Sequence, residues 1–301
     1  MRVWTRLTGW ATLLTGYATV LLGAAPLREL PPKRHQLGLL CATAVCAGCW
    51  ILASLVVRAH RREALRKKTW RRRYEPWPEP RPSRLLCWAL GFGVALTSAA
   101  ALCQGVGPDG AEGEWLATAA RAGAVTGEVR VERILGEPRP TDVEINDTDE
   151  YASTIVATVR FDSGARQVTV EEVHTAGRPE VGRAVELLYV PDRPELGARQ
   201  APGNDIGTFA GRMIMLPVIW TFALAAGFVT GVAMHRREPG VRYARRFEPW
   251  VHLPAALLLV CGAGLVLPLL IGFPETGTGW ALAAASATTP WLALAWVART
   301  S

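Results

Sequence analysis

Hydrophobic residues are concentrated in six blocks, and polar stretches separate them along the chain. Each block is about as long as a helix that crosses a bilayer, which takes about 20 residues. The blocks are Leu7–Leu27, Leu37–Val57, Leu85–Val106, Phe209–Met234, Trp250–Phe273 and Gly279–Ala298. The pattern therefore predicts a membrane α-helical bundle of six transmembrane helices, with three in residues 1–106 and three in residues 209–301.

In the polar stretch 107–208, between the third and fourth blocks, apolar residues recur with a different period. Apolar residues alternate with polar ones from Val125 and again around Ile155, which is typical of half-buried strands. Asp162-Ser163-Gly164 is a hairpin turn signal, and further strands are expected at 166–173 and 184–190. The sequence thus predicts an inserted small all-β domain, a barrel or a sandwich, with its core at 125–199. We expect a flexible linker at 105–113 and a mobile acidic loop at 136–150.

Charge is divided sharply between these parts. Residues 107–208 contain 19 acidic and 10 basic residues, although the whole chain carries +7. The loop at 58–84 has 11 Arg or Lys against 3 Glu, and the loop at 235–249 has 5 Arg against 2 Glu. Because positive short loops stay in the cytoplasm, both loops and both termini are predicted to be cytoplasmic. Residues 107–208 are then extracytoplasmic, and the Arg- and Ala-rich composition favours a bacterial cytoplasmic membrane. Nucleic-acid binding is not expected, because the basic residues lie next to the apolar blocks.

The two basic loops contain the same two short sequence motifs. His60-Arg61-Arg62-Glu63 and Arg72-Arg73-Tyr74-Glu75-Pro76-Trp77 recur at 235–238 and 245–250, with nine of ten positions identical. This repeat predicts two duplicated helical hairpins related by an axis along the membrane normal, with Trp77 and Trp250 at equal depth. Segments one and six have no counterpart in this scheme and are expected at the periphery.

Glycines predict where two of the segments pack. Gly9, Gly16 and Gly23 recur every seven residues, and Gly227-x-x-x-Gly231 forms a second small-residue face. Segment one also fits a signal peptide, since Arg2 and Arg6 precede it. Its length and glycine stripe favour a retained helix.

The repeated loops are also the candidate binding site. One interpretation is topological, with Arg fixing the orientation and Trp anchoring at the interface. The other is a contact for anionic lipid head groups or for an acidic partner segment, since each basic residue near an anionic leaflet gains about 1 kcal/mol. The residues of this site are Arg61, Arg62, Arg71, Arg72, Arg73, Trp77, Arg236, Arg237, Arg245, Arg246 and Trp250.

Other chemistry has little support in the sequence. All six cysteines lie in apolar blocks, so Cys46-x-x-Cys49 is interpreted as packing and not as a redox centre. Asp142, Glu144 and Asn146 have calcium-loop spacing, but the required Gly and Glu do not follow. His174 is the only histidine of 107–208 and is expected to be exposed at a strand end. We therefore expect no catalytic residues, no metal and no cofactor.

One set of residues in the β domain resembles a family. The set is Gly127-x-Val129, then Phe161 and Gly164, then Gly182-x-x-Val185-x-x-x-Tyr189-x-Pro191-x-x-Pro194. It is similar to the bacterial domain-of-unknown-function family 3592, small β domains carried between transmembrane helices. The resemblance covers residues 125–199 and implies the same β fold. It implies no activity and no functional residue.

The predicted function is non-catalytic. The sequence favours an accessory or scaffold protein whose exported β domain binds a protein partner or an envelope component. The alternative is a component of a carrier or channel for an apolar or lipid-like substrate, which needs no charged residue at the membrane midplane.

Overall fold

The computed structural model describes residues 2–25, 30–68, 84–145, 148–201, 215–236 and 247–300. The chain divides into two compact units. One is helical and joins Met1–Val106 to Leu216–Ser301, and the other is Gly107–Met215.

The helical unit contains six described helices. They are α1 (Arg2–Ala24), α2 (Arg34–Lys68), α3 (Arg84–Cys103), α5 (Met215–Arg236), α6 (Pro249–Ile271) and α7 (Thr276–Thr300), while α4 belongs to the other unit. Among the described residues, five of these helices are long and apolar enough to cross a membrane. The exception is α3, whose described apolar stretch is the shorter Cys87–Cys103. The prediction of apolar helices long enough to cross a membrane, together with a β domain, is confirmed, while the number of six spans stays a prediction.

A layer of hydrogen bonds joins one end of most of these helices. The Gln104 side chain donates to Gly23 O over 2.7 Å and accepts from Lys33 Nζ over 2.7 Å. Lys33 N donates to Leu270 O over 2.8 Å, and Trp220 Nε1 donates to Ala24 O over 3.1 Å. We call these groups the Gln104 layer. It lies where α1, α3 and α6 end and where α2 and α5 begin, so these helices alternate in direction along the chain.

The glycine stripe of α1 is a contact face, as predicted. A Cβ at Gly9 would lie 3.3 Å from the Trp50 ring, and one at Gly16 would lie 3.6 Å from Thr43. A Cβ at Gly23 would lie 3.3 Å from Ala100 of α3. Small residues let helix backbones approach closely in a membrane, where apolar burial alone gives no preference for helices over lipid.

The second predicted glycine face holds α5 against α3. A Cβ at Gly227 would lie 2.6 Å from the Phe92 ring, and one at Gly231 would lie 2.6 Å from the Trp88 ring. The reciprocal glycine is Gly91, where a Cβ would lie 2.8 Å from Gly231 N. Both aromatic rings of α3 therefore occupy space that only a residue without a side chain leaves open.

The expectation that segment six lies at the periphery is wrong. This segment is α7, which packs against both α6 and α3. Ser98 Oγ of α3 donates to Ala287 O over 2.7 Å, and Ser286 Oγ donates to Gly262 O of α6 over 2.8 Å. Small buried residues on α7 permit this double contact.

Pro290 lies inside α7 and has no N–H to donate to Ser286 O. The Thr289 hydroxyl donates to that carbonyl instead, over 2.8 Å. A hydroxyl next to the proline thus satisfies the freed backbone acceptor, which is how membrane helices tolerate internal proline.

The other unit is built on an antiparallel sheet in the order β3-β2-β1-β4-β5. The strands are β1 (Val125–Ile145), β2 (Thr148–Phe161), β3 (Gly164–Ala176), β4 (Ala184–Tyr189) and β5 (Ala198–Gln200). Fully buried side chains of β2, β3 and β4 form its core, among them Ile155, Val159, Val170 and Leu187. The predicted β domain is therefore present, with the predicted turn between Phe161 and Gly164.

Two local expectations for this unit are wrong. The segment 136–150 is not a separate mobile loop where it is described, because β1 reaches Ile145 and β2 begins at Thr148 to form a long hairpin. The linker expected at 105–113 ends earlier, because α4 (Gly110–Arg121) begins within it. Composition misled both predictions. The Pro-containing part of β1 lies beyond the stretch Val125–Arg130 that pairs with β4, and such a local edge tolerates proline and charge. Gly110 is the first residue of α4.

A bulge in β3 changes which residues face the core. Ser153 pairs with Val173 and Ile155 pairs with Val170, so two residues, Glu171 and Glu172, lie opposite one. Glu172 has a φ of 54°. The extra residue puts Val170 and Val173 both inside the core, although strict alternation would separate them.

Three residues of the family resemblance pack on one another. The Tyr189 ring lies across Gly127, where a Cβ would be 2.9 Å from Cε1. The Tyr189 and Phe161 rings meet edge to face with centroids 5.6 Å apart. Packing alone therefore accounts for Gly, Phe and Tyr at these positions.

Candidate functional site

The described residues of the sequence-predicted site lie at the end of the helical unit opposite the Gln104 layer. Gly9 of α1 contacts Trp50 of α2, and Trp88 of α3 contacts Gly231 near the end of α5. We call this the basic end, because α2 continues to Lys68 there and α5 finishes at Arg236. Arg236 is exposed and Trp250 is 72% exposed, so both are available to lipid or solvent.

Most of the predicted site residues lie outside the described part of the chain. Arg61 and Arg62 lie on the helical backbone of α2. Outside the described residues lie Arg71, Arg72, Arg73, Trp77, Arg237, Arg245 and Arg246. The equal depth of Trp77 and Trp250 accordingly stays a prediction, as does the superposition of the two hairpins.

The second copy of the repeat motif contacts α2 at Phe247 and Glu248, through an aromatic cluster and an ion pair. The Trp50 ring meets the Phe247 ring edge to face, with centroids 5.4 Å apart, and lies 6.4 Å from the His252 ring. Arg58 donates to Phe247 O over 3.1 Å, and its guanidinium lies 4.0 Å from the Glu248 carboxylate. We call these five residues the Trp50 cluster. Its ion pair is about a third exposed on both sides, so the aromatic contacts and the hydrogen bond to the carbonyl carry most of its stabilisation.

His252 also contacts the backbone at the start of α6. Its Nδ1 lies 3.1 Å from Glu248 N, the N-cap residue, and Pro249 is the first helical residue. The same Nδ1 lies 2.9 Å from Glu248 O, so an unprotonated Nδ1 accepts from the N–H of the N-cap residue and a protonated one donates to its carbonyl. Proline at the first helical position loses no hydrogen bond. The sequence Glu248-Pro249-Trp250 thus stands directly at the start of α6, whereas Glu75-Pro76-Trp77 lies outside the described residues.

The Trp50 cluster is not duplicated in the sequence. When His60 is aligned with His235, Ala225 and Ala233 stand where the first half has Trp50 and Arg58. Phe247 and Glu248 of the second repeat therefore contact Trp50 and Arg58 of the first half. The second half has alanine at the two positions equivalent to Trp50 and Arg58. This asymmetry was missed because the contacts join residues almost two hundred positions apart in the chain.

A second candidate lies in the β domain, and sequence reasoning missed it. Glu150 on β2 is 4% exposed, and its Oε2 accepts a hydrogen bond from Thr141 Oγ1 over 2.8 Å. Its Oε1 lies 3.2 Å from His174 Nδ1 on β3, without the alignment of a hydrogen bond. A carboxylate in this position requires polar partners, because burying a charge is costly unless it is paired.

His174 is held from the other side by Gln200 of β5. Gln200 Oε1 accepts from His174 N over 2.7 Å, and Gln200 Nε2 donates to His174 O over 2.8 Å. One amide side chain thus takes the place of a backbone pairing and joins the two ends of the sheet. These two hydrogen bonds fix the backbone of His174, independently of its imidazole.

The imidazole of His174 is partly buried in the β domain. Its Nδ1 is buried, while the side chain as a whole is 34% exposed. The ring therefore packs one nitrogen inside the domain, next to the Glu150 carboxylate, while another part of the side chain reaches the surface.

The prediction that His174 is merely exposed at a strand end is wrong in one respect, since its Nδ1 is buried and lies 3.2 Å from the buried Glu150 carboxylate. Glu150 gave no signal in the sequence, because it lies among residues that suggested an acidic loop. Among the described residues, no group of three or more His, Cys, Asp or Glu is arranged to hold a metal ion.

Comparison with known proteins gives no relative. No protein family, curated protein or solved structure matches this chain. The resemblance to the family of unknown function stays a prediction.

Proposed function

We propose that this chain is a six-span bacterial membrane protein that acts as a non-catalytic scaffold. Its β domain, on the outer side of the membrane, binds a protein partner or an envelope component. The family resemblance, the six spans and the orientation belong to this proposal.

The observation that carries the proposal is the independent core of the β domain. The unit Gly107–Met215 has its own buried cluster of ten residues, from Val131 to Ala198. A connection between α3 and α5 needs only a short loop, and folding a separate domain there costs conformational entropy for every ordered residue. A domain that presents a surface to a partner accounts for that cost.

The orientation is supported by the charge division and by the alternating helices. The basic end gathers the extension of α2, the end of α5 and the start of α6, which flank the two Arg-rich loops. Positive loops favour the cytoplasmic side. The Gln104 layer then lies on the outer side, where the chain leaves α3 for the β domain.

The basic end has a second role in the proposal, as a contact for anionic lipid head groups. Exposed Arg236 and exposed Trp250 combine a cation with an amphipathic ring, which is the pairing that membrane interfaces favour. The Trp50 cluster fixes the start of α6, so Trp250 is held in a defined place.

Crosslinking in the native membrane tests the scaffold proposal. The full chain should give a specific crosslinked protein, and a variant with residues 107–208 replaced by a Gly/Ser linker should lose it. The matched control keeps 107–208 and changes the exposed Val181, which lies 65% exposed on the same domain, to Ala. Recovery of the same partner without the β domain would contradict the proposal. Recovery of a lipid-like molecule by the helices alone would favour the carrier function.

A further inference from the structure

We propose that the outer edge of β3 pairs with the same edge of a second copy of this chain, so that two β domains share one continuous antiparallel sheet. Such pairing adds a contact between two copies to the scaffold function and does not depend on it. Three features of β3 favour it: an open edge, backbone groups that point outward, and charges that match when the edge meets itself.

The edge of β3 is open along residues 165–172. β3 stands at one end of the sheet order, with β2 as its neighbour. Within the described part of the chain, residues 165–172 make no backbone hydrogen bond beyond the ladder with β2. Their side chains are exposed, apart from Val168 and Val170. The open edge ends where the Gln200 side chain bonds the backbone of His174. An unpaired edge of this kind readily accepts another strand.

The backbone of the open edge points outward at Thr169. The N–H of His174 donates to the Gln200 side chain and its C=O accepts from it, so both groups point away from β2. His174 pairs with Ala152 of β2, and Val156, four residues further along β2, has the same orientation in the alternating ladder. Val156 pairs with Thr169. The N–H and C=O of Thr169 therefore also point away from β2, towards an added strand.

A twofold axis through Thr169 makes this edge complementary to itself. Antiparallel pairing about the axis sets Thr169 opposite Thr169 of the second copy, and their outward N–H and C=O groups then bond to each other. Val168 comes opposite Val170, and both belong to the core side of β3. Arg166 comes opposite Glu172, and neither residue forms an ion pair within the described part of the chain. The last two pairs each occur twice, so two apolar pairs and two pairs of opposite charge stabilise the contact.

Other registers of the same edge fit less well. A shift of one residue would set core-facing side chains opposite outward-facing ones. A shift of two residues would set Arg166 opposite either Val170 or His174 of the second copy, and at His174 the edge is already occupied by Gln200. The charges, the side-chain faces and the length of the open edge therefore select one pairing.

Disulfide formation by single-cysteine variants of the full chain in an uncharged maltoside detergent tests this pairing. Residues 107–208 contain no cysteine, and the unmodified chain gives the background from its own six cysteines. Thr169→Cys should form a disulfide-linked dimer on oxidation, because directly opposite Cα atoms lie about 5.5 Å apart, within the range that a disulfide spans. Gln167→Cys is the matched control on the same strand. It would lie four residues from its own equivalent, about 14 Å away, and should stay at background.

The charge pairs are tested in the Thr169→Cys chain. Adding Arg166→Glu sets like charges opposite each other twice, and the disulfide should form about tenfold more slowly. Adding Glu172→Arg as well reverses both pairs and should restore the original rate.

Three outcomes overturn the pairing. One is a folded Thr169→Cys chain that gives no dimer above background. Another is an equal yield from Thr169→Cys and Gln167→Cys, which would show random collision. The third is a slow rate in Arg166→Glu that Glu172→Arg does not restore. The cysteine variants decide the question even if Arg166→Glu does not fold.

Discussion

Replacing Gly91 with Ala tests the close contact between α3 and α5. The new Cβ would lie 2.8 Å from Gly231 N, 3.0 Å from Gly231 Cα and 3.1 Å from Gly227 O. All three are backbone atoms, so no side-chain rotation can make room. Carbon prefers neighbours at about 3.5–4.0 Å, and the two helices must therefore separate by about half an ångström or more.

The cost follows from the contacts that this separation loosens. A gap of about 0.5–1 Å loses roughly a quarter to a half of the attraction in each contact. The loss reaches the Phe92 and Trp88 rings, which fill the space above Gly227 and Gly231. Overpacking of this kind costs about 1–3 kcal/mol, and we expect the free energy of unfolding to fall by about 2 kcal/mol.

Gly48→Ala is the matched control. A Cβ at Gly48 of α2 would meet nothing within 4 Å, so the substitution adds the same methyl group without a clash. The gain in helix propensity, up to about 1 kcal/mol, applies to both variants. The assay is unfolding by sodium dodecyl sulfate in mixed micelles, followed by tryptophan fluorescence. Equal stabilities of the two variants would refute the close approach of α3 and α5.

Three further predictions concern the β domain, the orientation and the basic loops. Tyr189→Ala should destabilise the β domain by a few kcal/mol, because it removes the ring from Phe161 and Gly127, and an unchanged melting temperature would contradict this packing. Reporters active only outside the cytoplasm should be active when fused at Asp205 and inactive at Pro239, and the reverse pattern would overturn the orientation. Changing Arg71–Arg73 to Glu should weaken binding to anionic vesicles, most clearly at low salt, because salt screens exposed charges. Equal binding by both proteins would leave these arginines with a topological role only.

The parts of the fold that were predictable depend on local properties of the chain. The extent of α6, Pro249–Ile271, follows the apolar block predicted at Trp250–Phe273, and proline costs least at the first helical position. The inward positions Ile155, Ala157 and Val159 followed from alternation alone, since successive residues of a strand face opposite sides. The contact faces of α1 and α5 followed from glycine spacing.

The errors occurred where distant contacts override a local signal. Residues 136–150 carry Pro and acidic residues and look like a loop, yet pairing between β1 and β2 extends them as strands where they are described. Segment six was placed at the periphery because it has no repeat partner. Its small residues instead let α7 contact both α3 and α6.

The sequence by itself determined that this is a helical membrane protein with a β domain between its third and fourth apolar blocks. Hydrophobicity, charge and side-chain period are properties of short stretches, so they can be read without knowing what each stretch touches. Only the tertiary structure brought Arg58 to Phe247, and only strand pairing with a bulge brought His174 to Glu150. Such contacts depend on how whole helices and strands pack, and a one-residue shift in β3 would turn His174 away from the carboxylate.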